Sequence, residues 1–146
     1  MNFIEAGVLM ETVFTIEVMP DDLDLLNHVN NGVYVSYLEH ARMNWFDQMG
    51  IDIKGMVSKK LGIMVRRLEI NYIKEAILGD KLQIKTKPAR LGHTSFTFEQ
   101  KISNDQGDLI TEATAVIVMI DLNERRSITV IDEIGQYFIA APTATS

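Results

Sequence analysis

Residues 22–34, "DLDLLNHVNNGVY", gather two aspartates (Asp22, Asp24), a histidine (His28) and three asparagines (Asn27, Asn30, Asn31) directly before a long apolar run. Carboxylates and imidazoles are the side chains that deliver nucleophiles or move protons near neutral pH. The apolar run reads as a helix. Its start offers N–H groups without intrahelical acceptors, at the positive end of the helix dipole, where charge developing on an oxygen can be held. The same residues also have plainer uses. Asp22 and Asp24 suit a turn and a pre-helix position, worth about 0.3–1 kcal/mol. His28 suits a bond to the loop backbone, and Asn30 or Asn31 suits the helix cap.

The elements around this loop follow from periodicity. From Val33 to Met49, apolar residues recur at 34, 37, 38, 41, 45 and 49, and Gly50 supplies a stop. Val33, Val35, Met43 and Phe46 widen the apolar surface, which predicts a helix covered on more than one side. Before the loop, "TVFTIEV" (12–18) alternates as a strand, ended by Pro20. After the helix, residues 52–61 predict a short helical turn. Strand patterns then fill 63–74, 81–91, 94–103, 109–121 and 126–132, separated by the turn signals "LGD", "LGH", "NDQGD" and "LNER". Pro88 marks an edge or a bulge. Short connections favour a meander of antiparallel neighbours. The expected architecture is α+β: one long central helix wrapped by a curved, mostly antiparallel sheet of about five or six strands. Such a sheet has open edges, and pairing of two copies would close them, so a homo-oligomer is expected.

Composition narrows the function. At 146 residues the chain suits one domain, 1–146, with a folded core over about 10–132 and a loose tail "APTATS". Fourteen basic against 20 acidic residues leave a net charge of −6, which argues against nucleic acid or an anionic membrane as a partner. The absence of cysteine excludes thiolate catalysis and cysteine metal sites. The three histidines, His28, His40 and His93, show no ligand spacing, so no metal site is expected. The opening "MNFIEAGVLMETVF" carries Glu5 and Glu11 and lacks the positive start of a signal peptide. With no run of about 18 apolar residues, the expectation is a soluble cytoplasmic protein.

Asp22, Asp24, His28, Val29, Asn30, Asn31 and Tyr34 spell D-x-D-x-x-x-H-V-N-N-x-x-Y. On this motif, and on the loop, helix and strand run that carry it, the chain resembles hotdog-fold thioesterases of the 4-hydroxybenzoyl-CoA thioesterase type, a group that includes many acyl-CoA thioesterases. The resemblance implies a hotdog fold, an acyl-CoA substrate and no cofactor beyond the coenzyme A of the substrate itself. It maps the catalytic carboxylate onto Asp24, as nucleophile or as the base that activates water. The oxyanion donor would be the backbone N–H of Asn31. His28 would orient Asp24 or contact the thioester, with Asn30 and Tyr34 beside the substrate. Some members of this type use a helix carboxylate instead, which makes Glu39 a competing candidate against its plainer reading as an acid paired with Arg42. Arg90, His93 and Thr94 in "RLGHTS" are candidates for substrate or phosphate contact, and Lys59, Lys60, Arg66 and Arg67 for the CoA phosphates. The resemblance further implies a dimer or tetramer.

Two departures qualify it. Asn27 stands where many relatives have glycine before the histidine, though asparagine also tolerates unusual backbone angles. The motif also resembles plant acyl-acyl-carrier-protein thioesterases, but Leu26 stands where those carry an asparagine. An acyl-carrier-protein thioesterase and a non-catalytic acyl-CoA-binding module therefore remain as alternatives.

Overall fold

The computed structural model describes residues 10–140. The long helix α1 spans Asn31–Gln48, preceded by strand β1 (Thr12–Glu17) and a single 3₁₀ turn at Pro20–Asp22. A short helix α2 (Ile53–Ser58) leads into β2 (Leu61–Tyr72), β3 (Lys81–Leu91), β4 (Ser95–Asn104) and β5 (Leu109–Asp121). Three short pieces close the chain: β6 (Arg126–Ser127), a helical turn α3 (Asp132–Gly135) and β7 (Ile139–Ala140). The tail "APTATS" lies outside the described residues.

The strand order is β1-β3-β4-β5-β2, with β6 on β5 and β7 on β3, and every pairing but β3/β7 is antiparallel. Only β3, β4 and β5 form the expected meander. β2 instead lies at the far edge, so residues 73–80 are a crossover. Along the way Ala76 accepts a bond from Val29 N–H at 2.9 Å and donates one to the Tyr34 hydroxyl at 3.0 Å. The crossover thereby passes over the start of α1.

Two further expectations are corrected. The strand foreseen over 126–132 is only two residues long, because β6 pairs with Ile120 and Asp121 just beyond the point where β4 leaves β5 at Val118. Past that point the edge of β5 is already occupied. The chain then turns into α3, where the Ile131 carbonyl takes the N–H groups of Ile134 and Gly135. The second correction concerns α1, which is buried on one stripe rather than on several: Tyr34, Tyr37, Leu38, Ala41, Arg42, Trp45 and Phe46 are inside, while Val35 and Met43 are exposed. Pro88 sits at a register shift, between the end of β1 pairing at Thr86 and the start of β7 pairing at Arg90. There its missing N–H costs no ladder bond.

The helix rests on two core clusters. Tyr34, Tyr37, Leu38 and Ala41 pack with Leu82, Ile84, Ile102 and Ile110. Trp45 and Phe46 pack with Phe96, Phe98 and Phe138. Between the clusters runs a buried polar belt: Arg42 Nη1 donates to Gln100 Oε1, and Gln100 Nε2 donates to the Leu38 carbonyl and to Thr86 Oγ1, each at 3.0 Å.

Candidate active site

The loop before α1 is a small hairpin. Asn30 N–H bonds the Asp22 carbonyl at 3.0 Å, Leu23 and Val29 form a bridge, and Asp24 N–H bonds the His28 carbonyl at 3.0 Å. Its tip is closed by Asn27 N–H on the Asp24 carbonyl, at 3.1 Å, with Asn27 at φ 63°. Asparagine adopts that left-handed angle at little cost, so it does the work that glycine would do before the histidine.

The two aspartates have different surroundings. Asp22 Oδ2 accepts from Met19 N–H at 2.9 Å and from the Tyr37 hydroxyl at 2.8 Å, which ties the 3₁₀ turn to the helix. Burial and the Asp22 carboxylate both push the Tyr37 hydroxyl's pKa up, so it stays protonated and donating. Asp24 is tied more lightly. Its Oδ1 accepts from Leu26 N–H at 2.8 Å, and its Oδ2 lies 3.5 Å from His28 Nδ1, both side chains being 26% exposed. His28 Nδ1 also lies 3.3 Å from the Val29 carbonyl. Asp22 is therefore spent on structure, while Asp24 keeps an oxygen near an imidazole and open to solvent.

The helix start has one donor left over. Asn30 is the cap, its Oδ1 accepting from Gly32 N–H at 2.8 Å, and Val33 N–H turns to the Asn30 carbonyl at 2.9 Å. Among the described residues no acceptor takes the Asn31 N–H. The Asn31 carbonyl is held by the Tyr72 hydroxyl at 3.1 Å. A cleft of about 150 Å³ opens at this point, lined by His28, Asn31, Tyr34, Tyr72, Ile73 and Lys74 among others. Tyr34 lines it with its ring, its hydroxyl being engaged by Ala76, and burial raises that hydroxyl's pKa. Tyr72 and the crossover residues were not foreseen from sequence; only the aromatic at the end of a strand pattern marked them.

The other candidates lie elsewhere in the chain. Glu39 is exposed two turns along α1 and forms no ion pair with Arg42, although its charge opposes the lowering of the guanidinium's pKa by burial. Arg90, His93 and Thr94 stand at the opposite end of β3 from Lys81, about 30 Å away at 3.3 Å per residue. There His93 Nε2 lies 3.4 Å from Thr129 Oγ1, and the His93 and Thr94 carbonyls bond Val130 and Met119 N–H. One chain does not bring them to Asp24. Arg67 pairs with Glu69 on exposed strand surface. No group of three or more metal-ligating His, Asp or Glu side chains converges among the described residues, and no helix there is long and apolar enough to cross a membrane.

An antiparallel sheet curled on one long helix is the hotdog fold, and the solved structures agree. The chain superposes with TM-score 0.82 on the 1,4-dihydroxy-2-naphthoyl-CoA thioesterase Slr0204 of Synechocystis, at 17% identity, over 87% of this chain and 94% of that one. At that identity the likeness speaks for the fold alone. The family model of the thioesterase-like superfamily matches residues 18–138, and the chain belongs to that family. Among its relatives are the long-chain acyl-CoA thioesterase FadM of Escherichia coli, 28% identical over 83% of this chain and 92% of FadM, and the acyl-CoA thioester hydrolase YbgC of the same species, 27% identical over 73% and 79%.

Proposed function

We propose that this protein is a cytoplasmic acyl-CoA thioesterase that uses Asp24, His28 and the start of α1. The observation that carries the reading is the pairing of a half-buried, lightly tied Asp24 with a helix start whose Asn31 N–H has no protein acceptor. Asp24 attacks the thioester carbonyl or draws the proton from the water that does so. His28 holds its free oxygen in place. The Asn31 N–H, backed by the helix dipole, receives the oxyanion, a contribution of about 3 kcal/mol or a hundredfold in rate. Asp24 is paired with His28 and Asp22 with Asn30, so carboxylate and donor stand on one short hairpin that runs straight into the helix. The coenzyme A of the substrate is the only cofactor the reading calls for.

The protein acts as a homodimer through β2 in this reading. β2 is twelve residues long and among the described residues pairs only with β5, and its Met64 and Val65 are 53% and 42% exposed. A long, partly apolar, unpaired edge invites a second copy of itself. Thiol release from aliphatic and benzoyl-type acyl-CoAs tests the activity. Turnover of at least one class supports it. Failure across the panel, with CoA esters still raising the melting temperature, would replace it with a binding module or a carrier-protein substrate.

A further inference from the structure

The positions 31, 35, 39 and 43 lie on one face of α1 at i, i+4 spacing, and all four residues are exposed. This stripe starts at Asn31 and ends at a cavity of about 200 Å³ between α1 and β2. Met43, Ile63, Met64 and Val65 give the cavity apolar walls, and Glu39 and Arg42 give it one charged side. Arg42 is only 2% exposed, yet its guanidinium gives a single hydrogen bond, to the neutral Gln100. Among the described residues no carboxylate forms an ion pair with it and no other acceptor meets it. Its other guanidinium nitrogens are not among the buried atoms left without a partner, so they reach solvent and are open to an acceptor that a ligand brings.

We propose that this cavity is the far end of the acyl site and that Arg42 and Glu39 read a hydroxyl group on the end of the acyl chain. The inference rests on the reading of Asn31 as the oxyanion donor, which fixes where the chain begins. From Asn31 to Arg42 the helix rises about 16 Å at 1.5 Å per residue, close to the extended length of a twelve-carbon chain with its terminal oxygen. A hydroxyl is the group that fits both neighbours, since it accepts from the guanidinium and donates to the Glu39 carboxylate. A terminal carboxylate would satisfy Arg42 but meet the like charge of Glu39. A methyl terminus would leave the guanidinium as it is. The proposed β2 pairing would roof the cavity and strengthen the discrimination.

The test compares dodecanoyl-CoA, 12-hydroxydodecanoyl-CoA and dodecanedioyl-CoA as substrates of the full chain. In parallel, the melting temperature is followed with the corresponding free acids. The expected result is a kcat/KM about tenfold or more higher for the hydroxy ester than for the plain one, within the range a built hydroxyl site delivers. Arg42→Met removes that preference. If Arg42→Met does not fold, Met64→Trp, which fills the cavity from the exposed edge, moves the optimum to shorter chains. Equal kcat/KM for plain and hydroxylated esters, or a preference for the dicarboxylic one, overturns the inference and leaves the thioesterase reading standing. Selective stabilisation by 12-hydroxydodecanoate without hydrolysis of any ester upholds the pocket and removes the thioesterase.

Discussion

The two halves of α1 are held by different kinds of force. Around its first turns, hydroxyls and carbonyls make directional bonds: Tyr37 to Asp22, Ala76 to Tyr34, Tyr72 to Asn31. Around its last turns, Trp45 packs edge-on against Phe46, Phe98, Tyr137 and Phe138, with ring centroids 4.9–5.7 Å apart. The first half must hold a loop and a carboxylate in register, which needs bonds with direction. The second only has to bury area, which aromatic rings do well. The Arg42 and Gln100 belt divides the two.

This division makes unequal predictions. Trp45→Ala should remove about 3–5 kcal/mol of stability, a drop in melting temperature of roughly 10–15 °C, because a large ring at the centre of the aromatic cluster leaves a cavity. A loss under about 1 kcal/mol would mean that this end is not the anchor of the fold. Gln100→Ala should cost about 2–3 kcal/mol in denaturant unfolding, since it strips Arg42 of its acceptor and frees the Leu38 carbonyl and Thr86. Restoration of that loss in the Arg42→Met, Gln100→Ala double variant would confirm that the unpaired charge was the cost.

At the polar end, Asn30→Ala should cost about 1 kcal/mol through the lost cap. The same variant should slow turnover by more than its stability loss explains, because the cap also sets the direction of the Asn31 N–H. The smallest effect concerns acid. The hydrogen bond from Lys74 lowers the Asp108 carboxyl pKa, so this contact stabilises the fold above the ordinary carboxylate range and is lost as pH falls through the lowered value. Asp108→Asn should flatten the fall of melting temperature only below about pH 4, by a degree or less, because the pair is exposed.

Much of the fold could be read from the sequence because its signals are local. The spacing of 34, 37, 38, 41 and 45 gave the helix, and Asn30 sat where a cap was needed. The tolerance of asparagine for positive φ at position 27 could be read too, but not the hairpin whose tip it forms. What could not be read is what depends on the distant chain. Whether β5 has a free edge for 126–132 depends on where β4 ends, and no local pattern records that. The placement of Arg90, His93 and Thr94 depends on the direction of β3 relative to α1. Residues 81–91 alternate identically whichever end faces Asp24. Arg42 carried a signal that was read only as a partner for Glu39: a charge on the stripe between Leu38 and Trp45 must be buried. The roles proposed for Asp24 and His28 came from the motif and that of Asn31 from its place at the helix start, and the geometry adds reasons to test them.

The most direct test is the turnover of a cleaved acyl-CoA by Asp24→Asn beside the wild type, with the melting temperature of each. Asparagine keeps the size and the Leu26 N–H bond but can neither attack as a carboxylate nor take a proton. The account predicts a fall in kcat of about a hundredfold to ten-thousandfold at nearly unchanged melting temperature. Turnover within a few-fold of wild type would contradict it and move the chemistry to another carboxylate, Glu39 first.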